Sequence, residues 1–245
     1  MGRIFEVRKH TMFARWNRMA KQFARIAKDI TMAVKAGGPD PTSNPTLRRV
    51  IQNARAVNMP KDRVEAAIKR ASGRDATSYQ EVLYEGYAPY GVALLVETAT
   101  DNPTRTVAAV RNIITKGGGN LATEHAVSWG FSRKGIISVK PGLNEDQLLE
   151  KALDAGADDL INLGTDGFEI RTEPSQLHPV ATALEKSGVL VTEQRWSYLP
   201  RSTVKLEGET AKKMLKLMGA LEESDDVQNV YANFEVDDSL IHEMS

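Results

Sequence analysis

Cysteine is absent from all 245 residues. That excludes disulfides, thiolate-held zinc and thiol nucleophiles. Histidine is scarce: His10, His125, His178 and His242 are the four, and none stands in an H-x-x-x-H pair or beside a spaced carboxylate set. No metal site is expected. Long apolar runs are missing as well. The longest, Val92 to Val96, is far short of the ~20 residues a membrane helix needs, so no membrane partner is expected. The basic N-terminus lacks an apolar h-region, so no secretory signal is expected and a cytoplasmic setting is. There is no G-x-S-x-G, no Walker pattern and no G-x-G-x-x-G behind a strand. Gly117 to Gly119 follows a helical pattern, whereas a phosphate cradle would precede one. Glu222, Glu223, Asp225 and Asp226 lack the loop spacing of a hard-cation site and read as a solvated acidic face. Glu85 and Glu97 are strand carboxylates without an identifiable partner. The expectation is therefore no enzyme and no cofactor.

What is present is a charge asymmetry. Lys and Arg number 32 and Asp and Glu number 32, for a formal net charge of zero. Residues 1–75 nevertheless hold seventeen Lys and Arg against six acids, and the remainder holds fifteen against twenty-six. An excess of eleven positive charges in one segment concerns partners more than fold.

The cations are also patterned. Met12 to Lys35 reads as one helix of about 36 Å at 1.5 Å per residue. Met12, Trp16, Met19, Phe23, Ile26, Ala27, Ile30 and Val34 form its apolar stripe. Arg18, Lys21, Arg25, Lys28 and Lys35 occupy the opposite arc. Thr11 is the expected N-cap, and Gly37-Gly38-Pro39 ends the helix. Before it runs a basic arm with Arg3, Arg8 and Lys9. Arg15 adds a cation at the helix start. A second helix starts at Asn44-Pro45, with Leu47, Val50, Ile51 and Ala54 inside and Arg48 and Arg55 seven apart on another face. Lys61 to Ala71 is a third. The expected nucleic-acid-binding set is Arg3, Arg8, Lys9, Arg15, Arg18, Lys21, Arg25, Lys28, Arg48 and Arg55. Such contacts hold phosphates and do not read bases.

Beyond residue 76 the pattern becomes α+β. Strands are expected over Tyr79–Tyr87 and Gly91–Thr100, a helix from Pro103 to Lys116, and a strand through Val127, Trp129 and Phe131. Residues 135–196 follow the order β-α-β-β-α-β, a split βαβ or ferredoxin-like unit. After Pro200 come a strand, a helix over Thr210–Leu221 and a strand over Val227–Val236, which complete the unfinished set at 77–133. The expected architecture is multidomain α and α+β. A helical bundle at 1–75 precedes a discontinuous α+β domain at 76–133 plus 201–245. The ferredoxin-like domain at 134–200 is inserted in the latter.

Several stretches together carry a family resemblance: Asn58-Met59-Pro60-Lys61-Asp62, Tyr84-Glu85-Gly86-Tyr87, Thr100-Asp101-Asn102 with Arg105-Thr106-Val107, Lys116 to Leu121, and Asp225 to Tyr231 with Asn233-Phe234. The chain resembles the YebC/PmpR family, whose mitochondrial members are translational activators of a cytochrome oxidase subunit. It departs from the common pattern in its N-terminal arm, in the turn Tyr87-Ala88-Pro89-Tyr90-Gly91, and in Ala122 to Ala126. The resemblance implies a helical N-terminal domain followed by two α+β domains. It also implies a DNA-binding transcriptional regulator or, as the alternative, a ribosome-associated factor on ribosomal RNA that assists synthesis of difficult stretches such as proline-rich ones. The partner is nucleic acid in either case.

Overall fold

A computed structural model describes residues 3–4 and 19–236. The expected start of the long helix at Met12, its cap Thr11, and Trp16 lie outside these residues. The fold is mixed α+β, with seven α-helices among the described residues. Helix α1 spans Met19–Gly37, α2 Pro45–Ala56, α3 Lys61–Ala71, α4 Pro103–Lys116, α5 Glu145–Asp154, α6 Leu177–Lys186 and α7 Gly208–Glu222. The strands are β1 Arg3–Ile4, β2 Gln80–Tyr87, β3 Ala93–Thr100, β4 Asn120–Leu121, β5 Phe131–Val139, β6 Asp159–Asn162, β7 Phe168–Thr172, β8 Val191–Pro200, β9 Val204–Lys205, β10 Val227–Ala232 and β11 Phe234–Val236. They form two compact units.

The first unit contains residues 1–28, 75–132 and 199–245. Its main sheet has the order β10-β3-β2-β4, all antiparallel. The apolar side of α7, with Met214, Leu215, Met218 and Leu221, packs with Val110 and Ile114 of α4 over Leu94, Val96 and Val230 of the sheet. This follows from the sequence: each helix carries one apolar stripe, and the strands supply β-branched and aliphatic residues to meet it. Asn102 caps α4 by accepting a hydrogen bond from Arg105 N at 3.1 Å, with Pro103 at the first helical position.

One expected strand, Val227–Val236, is two. At Asn233 the chain leaves the main sheet, where β10 pairs β3, and β11 joins a small sheet of order β1-β11-β9. Asn233 makes the change possible: its side-chain oxygen accepts from Ala93 N at 2.7 Å, and its carbonyl accepts from Val204 N at 2.8 Å. The expected strand through Val127, Trp129 and Phe131 also differs. Ser128–Gly130 is a 3-10 turn, and the strand begins only at Phe131.

The second unit contains residues 29–74 and 133–198. Its sheet has the order β6-β7-β5-β8, and chain order runs β5, α5, β6, β7, α6, β8. Leu148 and Ala152 of α5 and Leu177, Val180, Ala181 and Leu184 of α6 bury against Ile137, Val139, Ile170 and Val191. The helical part buries Ile30, Val34, Leu47, Val50, Ala54, Val64 and Ala67. Asn44 is its staple. Its side-chain oxygen caps α2 through Leu47 N at 3.0 Å, and its amide donates to the carbonyls of Ala33 and Gly38, both at 2.8 Å. The approach is so close that a side chain at Gly37 would meet the Asn44 amide.

Candidate nucleic-acid interface

The cations of α1 come first, because the sequence puts them on an arc facing away from the apolar stripe. Within the first unit that arc meets the end of α7. The Lys21 ammonium donates to the Glu223 carbonyl at 2.6 Å, and the Arg25 guanidinium to the Glu222 carbonyl at 2.5 Å and to the Glu222 carboxylate at 2.8 Å. The Lys28 ammonium donates to the carbonyls of Ala99 and Asp225 and to the Asp226 carboxylate, all at 2.9 Å, and lies over the Tyr79 ring. The last carbonyls of a helix lack intrahelical partners and carry the negative end of its dipole, so three cations there are favourable. The i, i+4, i+7 spacing that makes a cationic stripe also spaces these groups along one acidic helix end.

The acidic stretch expected as a solvated face is thus partly internal. Glu222 is buried against Arg25, and only Glu223 and Asp225 are exposed. Asp226 is a hub. It accepts from Lys28 at 2.9 Å, from Arg105 at 2.9 Å and from the Thr106 hydroxyl at 2.7 Å. Burial pushes its pKa up, but the hydrogen bonds from Arg105, Lys28 and Thr106 outweigh that and hold it down at about 2. The same charge, second to burial, raises the pKa of Tyr84.

Two carboxylates that the sequence left without partners have them. Glu97 accepts from the Asn229 amide at 2.9 Å and the Tyr231 hydroxyl at 3.1 Å. Glu85 is only 5% exposed. Its two oxygens accept the backbone N–H groups of His125, Val127 and Ser128 at 2.8, 2.7 and 2.8 Å. These are donors that a strand would have offered to a neighbour, which is why residues 127–130 turn. Burial pushes Glu85 upward, yet the three backbone bonds prevail and its pKa lies below the usual range. The loop so fixed presents Trp129, 74% exposed, whose indole N–H is tied to the Ala126 carbonyl at 3.0 Å. The Tyr87 hydroxyl shares that carbonyl at 3.1 Å.

In the second unit, Arg48 and Arg55 project from α2, exposed and with no polar partner among the described residues. Lys69 and Arg70 are exposed on α3. Between α2, α6 and β8 lies a cleft of about 250 Å³. Arg48, Arg49 and Gln52 line it from α2, His178 and Glu185 from α6, and Gln194 from β8. Asn53 fastens α2 to β8 in the manner of a neighbouring strand: its amide donates to the Gln194 carbonyl at 2.9 Å and its oxygen accepts from Gln194 N at 3.0 Å. β8 is an edge strand of its sheet, so this pairing also covers an open ladder. Arg49 lies 4.3 Å over the Trp196 ring, and Arg133 lies 5.2 Å from the same ring.

Of the ten cations expected to bind nucleic acid, the structure places Lys21, Arg25 and Lys28 of α1 against the C-terminal end of α7 and the turn after it, and Arg48 and Arg55 together on α2. Arg3 lies in β1, and Arg8, Lys9, Arg15 and Arg18 lie outside the described residues. From the sequence Glu85 had no partner and Asp226 stood on a solvated face, and nothing pointed to Gln194; the structure gives the first two their partners. Among the described residues no helix is long and apolar enough to cross a membrane.

Comparison with known proteins adds the following. The family described as "TACO1/YebC protein N-terminal domain" matches residues 3–74, and "TACO1/YebC second and third domain" matches residues 79–234. Two proteins of Myxococcus xanthus, each named "Probable transcriptional regulatory protein", are similar. One is 51% identical over 238 residues, covering 95% of this chain and 99% of its own, and the other is 50% identical over 222 residues, covering 90% and 89%. An Anaeromyxobacter dehalogenans protein of the same name is 49% identical over 238 residues, covering 95% and 99%. The crystal structure of a conserved hypothetical protein from Aquifex aeolicus superposes with a TM-score of 0.83 at 44% identity, covering 89% of this chain and 91% of that one.

Proposed function

The chain belongs to the TACO1/YebC family, and on that premise we propose that it is a non-enzymatic, nucleic-acid-binding regulator of gene expression, acting in the cytoplasm as a DNA-binding transcriptional regulator. The name carried by its relatives supports the regulatory reading. The observation that carries nucleic-acid binding is the cationic surplus of residues 1–75 together with Arg48 and Arg55, which stand exposed on α2. In this reading Arg48 and Arg55 contact phosphates, joined by Arg3, Arg8, Lys9, Arg15 and Arg18 of the N-terminal segment. Lys21, Arg25 and Lys28 continue that line of cations along α1 while holding its acidic counterpart. The body is an α+β domain at 76–133 plus 201–245 with a ferredoxin-like domain at 134–200 inserted in it. The strand order β6-β7-β5-β8 supports the latter.

The test compares a promoter duplex with a scrambled duplex by fluorescence anisotropy in the full chain, across salt concentrations. A transcriptional regulator binds the promoter at least tenfold more tightly than the scrambled sequence. Equal affinity for both, with co-sedimentation with ribosomes at moderate salt, would transfer the target to ribosomal RNA. Absence of binding to either at low salt would defeat the nucleic-acid reading.

A further inference from the structure

The cleft between α2, α6 and β8 has a feature that packing does not require. Gln194, 2% exposed, has a side-chain oxygen with no hydrogen-bond partner among the described residues. Its polarity is fixed by a chain of three groups. The Glu185 carboxylate only accepts, and it takes the Gln52 amide N–H at 2.6 Å. The Gln52 oxygen therefore faces Gln194 and accepts the Gln194 amide N–H at 2.8 Å. Turning either amide would set donor against donor or oxygen against oxygen, so the unpaired atom at the end of the chain is an acceptor. A buried acceptor left unmade carries a desolvation penalty that a ligand N–H would remove.

The other lining groups define what else that ligand carries. Arg48 stands exposed at the cleft and binds oxyanions well. Arg49 lines the cleft while its guanidinium carbon lies 4.3 Å over the Trp196 ring. A guanidinium held on an indole is a preordered plane on which a flat ring can stack. The volume, about 250 Å³, is below the ~300–1,000 Å³ of pockets that take drug-sized ligands, so it suits one planar group with an anionic tail. The required chemistry is an N–H donor on a flat ring with a negative charge at one end.

We propose that this cleft receives a single unpaired nucleotide of the bound nucleic acid, its base amino group donating to the Gln194 side-chain oxygen, its ring against Arg49 and its phosphate on Arg48. The proposal rests on the nucleic-acid reading above and narrows it. An unpaired base entering from a single-stranded or opened region would give the protein a contact to a base edge, which phosphate contacts alone do not provide.

The probe is adenosine 5′-monophosphate, titrated into the full chain by isothermal calorimetry and followed by NMR. Its analogue with a dimethylated amino group keeps the ring and phosphate but loses the donor. Saturable binding of the nucleotide is expected, weakened about tenfold or more by the analogue, by Gln194→Met and by Arg48→Ala. The analogue leaves the protein untouched, so it decides the matter even where Gln194→Met disturbs folding. No saturable binding, or analogue and parent binding equally, would overturn the pocket. If the chain still binds an eight-nucleotide oligoadenylate or a duplex in that case, the pocket alone has failed. If it binds no nucleic acid at low salt, the wider reading has failed with it.

Discussion

At the scale of single residues, Asp226 holds more of the first unit together than its acidic neighbours. It meets Lys28 of α1, Arg105 and Thr106 of α4, and it stands just before β10. Its pKa is about 2 in the folded chain against an ordinary 3.8. A carboxyl whose folded pKa is depressed adds stability above its unfolded pKa and loses it as pH falls through the folded value. Asp226 therefore contributes about 2 kcal/mol at pH 7, and roughly half of that at pH 3. Asp226→Asn should lower stability by at least that amount at pH 7, measured by urea unfolding, and the gap to the parent chain should shrink at pH 3. A gap that does not change with pH would mean that the charge contributes nothing and only the hydrogen bonds do. Glu85 poses the related case of a buried carboxylate held by three backbone N–H groups and the Ser128 hydroxyl. In Glu85→Gln one oxygen is replaced by a donor facing donors, a loss of about 1–3 kcal/mol. Hydrogen exchange at the amides of His125, Val127 and Ser128 should rise well beyond any change in the rest of β2. Unchanged protection there would remove Glu85 from its role in shaping the loop.

At the scale of elements, helix α1 is the test of what a pattern can say. Its apolar stripe and its arc of cations were both legible, as were the helix starts at Asn44-Pro45 and Pro103 and the β-α-β-β-α-β order, because each is written in local spacing. Where the arc points was not legible. Lys21 and Arg25 bind carbonyl oxygens about two hundred positions away, and a carbonyl has no signature in the sequence. Glu85 was invisible for much the same reason: three of its donors are backbone N–H groups. Gln194 is a third instance, since its significance comes from Gln52 and Glu185, which only folding brings to it. The split of the last expected strand at Asn233 was hidden because both halves are apolar and β-prone, and only the pairing partner changes. If the arc on α1 is structural, Lys21→Ala, Arg25→Ala and Lys28→Ala together should destabilise the first unit by about 3 kcal/mol. That figure discounts each charged hydrogen bond for partial exposure. Urea midpoints with an unchanged m-value would measure it. An unchanged midpoint together with lost nucleic-acid binding would return those three residues to the interface.

At the scale of the whole molecule, a formal net charge of zero and a pI near 6.9 leave no global attraction to a polyanion, so any binding must come from a local field. That field decays over about 8–10 Å at physiological salt, which limits it to phosphates in near contact. Of the surplus cations in residues 1–75, Lys21, Arg25 and Lys28 are already faced by carbonyls and carboxylates of the chain, whereas Arg48 and Arg55 are exposed to solvent. Ion release then supplies a count. On duplex DNA, each phosphate contact contributes about 0.9 to the slope of log affinity against log salt. The double variant Arg48→Glu, Arg55→Glu should reduce that slope by about 2 and lower affinity most at low salt. Its thermal stability should stay close to that of the parent, since neither side chain has a polar partner among the described residues and surface changes of this kind stay within about 0.5 kcal/mol. Titration of one duplex at four or five salt concentrations separates the outcomes. A slope that falls by about 2 identifies both arginines as phosphate contacts. An unchanged slope would place the contacts elsewhere among the cations of residues 1–75 and leave α2 as a structural helix that braces the edge strand β8.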